Sequence, residues 1–216
     1  MALAPSRWRL IELVRKRAAV RAGVDLLERK REALIRELEN RVVLAEERRG
    51  ALAAALQKAR ARLEHAVVDI GAPAAEAAAL AQALPGSLRR REEVVLGVHL
   101  PRVAATFEPL RLSYGFGGTS ASLDDAALAF RALLPLVVEL AAQETAVRNL
   151  RRALQRTSRT LNALKDVLLP EVEADVRAVA AALEDEDRDE RVRRLLSTAG
   201  RSRPHRGGTS GSVRGV

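Results

Sequence analysis

The sequence predicts an all-α protein: a long antiparallel two-helix coiled coil of N- and C-terminal helices, with a small middle segment holding a short helix and a β-hairpin. Three observations predict it. Apolar residues recur in alternating three- and four-residue steps along both ends of the chain, the period of a stripe on a supercoiled helix. Of the 21 Gly and Pro residues, ten lie between Gly71 and Gly118 and six at or beyond Gly200, so two breaker-poor arms flank a broken middle. And although 48% of the 216 residues are hydrophobic, only five are aromatic. An apolar stock of Ala, Leu and Val builds long helices, not a ring-filled globular core.

The first arm is residues 1–70. Its stripe runs through Leu10, Leu13, Arg17, Val20, Val24, Leu27, Arg31, Leu34 and Leu38, takes a four-residue step where three is due at Val42, and continues through Ala45, Arg49, Leu52, Leu56, Ala59, Leu63 and Val67 to Ile70. Fifteen of these eighteen positions are apolar, which marks a coiled-coil seam. Pro5 and Ser6 suit a helix start, and Gly71 with Pro73 supplies the stop. At about 1.5 Å per residue the helix measures roughly 95 Å.

Residues 71–121 form the connector knob. An Ala-rich piece, 74–84, reads as a short helix ending at Pro85-Gly86. Residues 94–100 read as a strand whose return is 102–107 or 111–114. Gly115, Gly117 and Gly118 make a flexible loop into the second arm.

The second arm, 122–196, repeats the stripe with Val147, Leu150, Leu154, Thr157, Leu161, Leu164, Leu168, Val172, Val176, Val179 and Leu183. Ser122 and Asp125 have capping-box spacing. Pro135 and Pro170 each lack a donor and are expected to kink the helix or mark segment ends. Two such stripes most simply bury each other, antiparallel across the connector. The basic tail, 197–216, has no apolar pattern and is expected to be disordered.

The formal net charge is +9, and its distribution decides its meaning. The first arm carries +6, the second −2 and the tail +4. A solvated or partner-facing arm accounts for that split better than a nucleic-acid platform, and five aromatics offer little base stacking. Zero Cys removes thiol nucleophiles and zinc-thiolate sites. Three scattered His residues, His65, His99 and His205, supply no clustered metal site; His65 and His99 have no carboxylate or Ser constellation beside them and read as structural. No glycine-rich loop precedes any of the four Lys, so nucleotide phosphates find no cradle. The acidic run at 184–187, with Asp189 and Glu190, projects around a helix instead of converging, and reads as a solvated face or a contact for a basic partner. No catalytic residue, cofactor or metal is therefore assigned. Charge precedes any apolar run at the N-terminus, and Arg131, Pro135 and Glu139 interrupt the greasiest stretch, 126–143, so neither export nor membrane insertion is expected.

The most informative segment is Arg29-Lys30-Arg31 with the nearby Gly23 and Leu26-Leu27. Arg17, Arg31 and Arg49 interrupt the seam itself, and burying an unpaired Arg costs on the order of several kcal/mol. They are expected to snorkel or to face acidic groups of another chain. Gly23 costs about 1 kcal/mol in a helix interior relative to Ala, which suggests close approach by a neighbouring backbone.

These residues carry a resemblance. Gly23, Leu26-Leu27 and Lys30-Arg31 in the first arm, Thr157, Arg159, Asn162-Ala163-Leu164 and Pro170 in the second, the acidic end Leu183, Glu184, Asp187-Arg188, and Pro5 and Pro101 together resemble the D subunits of the V-type and A-type rotary ATPases (ATP synthases). The sequence departs in having Glu28 where Lys is usual, and Arg191, Arg193 and Arg194 where Lys is commoner. The resemblance implies a non-catalytic central-stalk rotor subunit in a cytoplasmic complex attached to the membrane. Its partners would be the catalytic A and B subunits of the hexamer, the F subunit of the stalk and the subunit capping the membrane ring. It would pass torque between ring and hexamer for ATP synthesis or ion pumping, with no cofactor, no nucleic acid and no direct membrane insertion. The implied partner interface is Gly23, Leu26, Leu27, Arg29, Lys30, Arg31, Arg159, Asn162, Ala163 and Leu164. A basic coiled coil binding nucleic acid or an anionic membrane surface is the alternative, marked by affinity that falls steeply with salt.

Overall fold

A computed structural model describes residues 6–82, 86–109, 114–115 and 120–201. Helix α1 (Arg7–Ile70) is capped by Ser6, whose hydroxyl accepts the Arg9 amide at 3.2 Å while its carbonyl accepts the Leu10 amide at 3.1 Å. The helix stops at Gly71, which takes the left-handed φ of 81° that other residues avoid. Pro73 then sits in the first turn of α2 (Ala72–Ala81), where its missing donor costs nothing. The hairpin strands β1 (Gly86–Val95) and β2 (Val98–Phe107) follow. Then come α3 (Ala121–Asn162), a wide π turn (Ala163–Leu168) and α4 (Leu169–Arg201). The chain forms two compact units, residues 1–25 with 162–216, and residues 26–161.

In the first unit the start of α1 packs antiparallel against α4. Arg7 pairs with Asp187 at 3.3 Å and Arg21 with Glu173 at 2.5 Å; moving fourteen residues up α1 (7 to 21) moves fourteen down α4 (187 to 173). Leu13, Val24, Val172 and Val176 are buried between the two helices. Every one of these was on a predicted stripe, and Leu10, Arg17, Val20, Leu164, Leu168, Val179 and Leu183 are half-buried beside them.

The wide turn answers Pro170. Proline offers no N–H to the Asp166 carbonyl four residues back, and the Leu169 amide reaches the Leu164 carbonyl, five residues back. Pro170 thus marks a segment end as expected, whereas Pro135 is held inside α3.

In the second unit, α1 from Leu26 onward packs against α3, again antiparallel: Arg49 meets Glu144 at 2.8 Å, and further along α1 Asp69 meets the Ser122 hydroxyl at 2.5 Å. Small residues allow the approach, Ala45, Ala59 and Ala142 being buried. One core cluster joins Leu34 of α1, Ala146 and Leu150 of α3, and Val98 and Leu100 of β2. A second, of Ala66, Ala78, Leu123 and Ala126, ties the end of α1 to α2 and the start of α3.

Several expectations need correcting. Residues 94–100 are not one strand: Leu96 (φ 54°) and Gly97 (φ 78°) form a two-residue turn, and β2 begins at Val98, with Val95 paired to Val98 and Gly86 to Phe107. Two consecutive left-handed residues give the turn whose twist matches paired strands. The expected short helix starts earlier and ends at Ala81. Ser122 and Asp125 form no capping box; α3 begins at Ala121 and the Ser122 hydroxyl goes to Asp69 instead. Helix α4 continues past residue 196 to Arg201. The alternative return at 111–113, the loop residues 116–118 and the tail from 202 lie outside the described residues.

Candidate functional site

The ten residues expected at a partner interface divide between the two units. In the first, Asn162 at the end of α3 and Ala163 at the start of the wide turn are exposed, and Leu164 is half-buried. Gly23 is half-buried, but a Cβ there would meet only the Leu164 side chain, at 4.0 Å. That is ordinary van der Waals contact, so the expected close backbone approach at Gly23 is absent.

In the second unit Leu26 is 67% exposed, and Arg29, Lys30 and Arg159 are exposed as well. Leu27 and Arg31 turn partly inward. The Lys30 ammonium lies beneath the hairpin turn, 3.8 Å from where a Gly97 Cβ would stand. That distance is ordinary van der Waals contact, so it is the left-handed φ of 78° that favours glycine there.

The three seam arginines differ from one another. Arg49 is exposed and hydrogen-bonds Glu144 of α3, so its acid comes from its own chain, not from another. That hydrogen bond, and then the charge of Glu144, raise its pKa above the usual value. Arg17 is half-buried. Arg31 is half-buried too, with its Nε buried and without a hydrogen-bond acceptor.

Other features lay outside the reach of sequence patterns. His99 has a carboxylate after all, its Nδ1 lying 3.2 Å from Glu92 Oε2 across the hairpin. The pairing was hidden because it depends on the turn at Leu96-Gly97. Tyr114 donates to Asp124 Oδ1 at 2.6 Å; desolvation first, and then this bond, push its phenol pKa well up. Next to it, an apolar groove of about 370 Å³ runs between Leu63 of α1, Ala78 of α2 and Phe130 of α3. In the first unit, Trp8 is 73% and Leu195 71% exposed, with Ile11, Val192 and Leu196 also bare. Among the described residues no group of three or more acidic, His or Cys side chains is arranged to hold a metal, and no helix is long and apolar enough to cross a membrane.

Comparison with known proteins settles the family. The model of the ATP synthase D-subunit family matches residues 9–198. The chain belongs to that family. It is 30% identical to the V-type ATP synthase D subunit of Thermotoga neapolitana over 203 residues, which cover 93% of this chain and 100% of the relative. It is 31% identical to the A-type ATP synthase D subunit of Methanopyrus kandleri over 191 residues, 88% of this chain and 82% of the relative. The V-type ATP synthase D subunit of Thermus thermophilus is likewise 31% identical over 191 residues, covering 88% and 85%. The stretch matched by the D-subunit family includes both seams, the hairpin and the acidic part of α4.

Proposed function

We propose that this chain is the non-catalytic central-stalk subunit of a V/A-type rotary ATPase. It passes torque between an ion-driven membrane ring and a catalytic hexamer of A and B subunits, for ATP synthesis or ATP-driven ion pumping. The observation that carries the reading is the antiparallel pairing of α1, locked by Leu13, Val24, Val172 and Val176 in one unit and by Leu34 and Leu150 in the other. Two helices interlocked at each turn resist twisting better than one, because torsion must unpack close-packed side chains. The surfaces suit a part that must not settle. Among the described residues Trp8 is the one exposed aromatic; the other large apolar side chains bare on the helices are aliphatic, such as Leu26, Val68 and Leu195, and stand among Ala, Arg and Glu, so the helices offer few of the aromatic anchors that hold a contact in place. By the family likeness, the F subunit and the subunit capping the ring complete the stalk.

Arg29 and Lys30, exposed on α1, are assigned to contacts with acidic loops of the hexamer, alongside Leu26. In the assembled complex, R29E/K30E is expected to lower the number of ions pumped per ATP hydrolysed while hydrolysis continues. Unaltered coupling removes the site assignment. Purification of the tagged chain without A and B subunits removes the function itself.

A further inference from the structure

Among the described residues one edge of the hairpin is uncovered, and two of its arginines meet no carboxylate. Residues 86–92 of β1 are all exposed, and among the described residues the sheet has two strands. A two-residue turn makes Val95 and Val98 a hydrogen-bonded pair, and pairs alternate from there. His99 and Pro101 therefore direct their backbone groups away from β1. Two facts agree: the His99 carbonyl accepts the Asn149 side-chain amide of α3 at 2.9 Å, and Pro101, which has no N–H, falls where none is needed. The outer edge of β2 is thus met by α3. The same alternation turns the amides and carbonyls of Leu88, Arg90 and Glu92 outward from β1, where no third strand meets them among the described residues.

The charges along this edge are equally unbalanced. Glu92 is engaged by Arg90 at 2.8 Å and by His99 at 3.2 Å, and Glu93 by Arg102 at 2.8 Å and Arg41 at 3.9 Å. Among the described residues Arg89 and Arg91 have no carboxylate. They share one face of β1, about 7 Å apart by strand geometry, which is the spacing of alternate side chains on a neighbouring strand.

We propose that the outer edge of β1 binds an acidic, extended segment of another protein as an added third strand. Its alternate carboxylates meet Arg89 and Arg91, and its backbone pairs with Leu88, Arg90 and Glu92. Backbone pairing gives affinity, and the two guanidiniums select acid over base and fix the register. An anionic lipid surface satisfies the arginines but leaves the outward amides unpaired, so a peptide fits more of the site. The inference goes beyond the rotor reading and does not rest on it.

The test uses the full-length chain and a fluorescent octapeptide alternating Glu with Thr and Val, followed by anisotropy and amide exchange. Binding is expected to protect the amides of Leu88, Arg90 and Glu92. It should weaken about tenfold or more in R89Q/R91Q, and R89E/R91E should prefer the same peptide with Lys for Glu. All the substituted positions are exposed, and an unchanged helical spectrum verifies the fold. N-methylating the peptide at its strand-pairing amides is expected to abolish binding. No binding, equal binding of the N-methylated peptide, or arginine-dependent binding to phosphatidylglycerol vesicles in place of the peptide each overturns the proposal.

Discussion

Leu100 is the residue on which the hairpin's attachment to the helices can be measured. It is 1% exposed and lies in the cluster with Leu34, Ala146 and Leu150, so L100A deletes three carbons from a closed site. At about 0.8 kcal/mol per buried carbon the transfer loss alone is about 2.4 kcal/mol, and the cavity left behind carries such substitutions to between about 2.7 and 5 kcal/mol. The hairpin has only two strands, too few to stand alone in water, so its amides exchange through undocking. A loss of 2.4 kcal/mol corresponds to about a fiftyfold fall in protection. Native-state hydrogen exchange should show that fall across Val98–Phe107, while amides of α1 and α3 remote from the cluster keep theirs. L88A, at a position 62% exposed, is the control and should shift protection by less than about 0.5 kcal/mol. Equal protection in L100A and L88A, or a uniform fall in every helix, would refute the idea that this cluster docks the hairpin.

Three further outcomes rest on the same geometry. Leu96 holds a left-handed backbone at 41% exposure; L96N puts Asn-Gly at the turn and should stabilise the hairpin by about 1 kcal/mol, read as slower exchange of β1 and β2 amides. Ala59 is fully buried, so A59L overpacks and should lower stability by about 1 to 3 kcal/mol in thermal or urea unfolding. Tyr114 is the one tyrosine of the sequence, so phenolate absorbance reports it alone. Its folded pKa is raised, so it should stay un-ionised at about pH 10.5 in the native protein. The unfolded chain ionises near pH 10, so the bond's stabilisation is full below that pH and lost as pH rises above it. Y114F should abolish that alkaline decline, and the same decline in Y114F would exclude the Tyr114–Asp124 pair as its cause.

The two seams were legible because a long helix pair rests on one periodic signal. Of the eighteen positions assigned to the α1 stripe only Arg49 is fully exposed, and every α3–α4 seam residue is buried or half-buried. The hairpin was half legible: its strand composition showed, but Leu96 occupies a backbone region where Gly or Asn is the usual marker, so the turn hid inside an apolar run. Ser122 and Asp125 carried a local capping signal that a distant acid, Asp69, overrode. The interface residues drew on family resemblance, and exposure of Leu26, Arg29 and Lys30 is a tertiary property that no spacing encodes. Partner contacts such as His99 to Glu92 require the register, which the turn alone sets.

The wide turn at Ala163–Leu168 governs the angular phase of the helix beyond it. From Leu164 the seam advances through Leu168 and Val172 to Val176, twelve residues for three steps, or four per turn. An ordinary helix of 3.6 residues per turn would rotate Val176 by about 120° relative to Leu164 over that distance. Accommodating more than four residues in one loop removes much of that rotation, so Val172 and Val176 remain buried on the seam. Removing a single residue from the loop would swing α4 by about 100° and expose both valines, uncoupling the helix pair without touching one of its contacts directly.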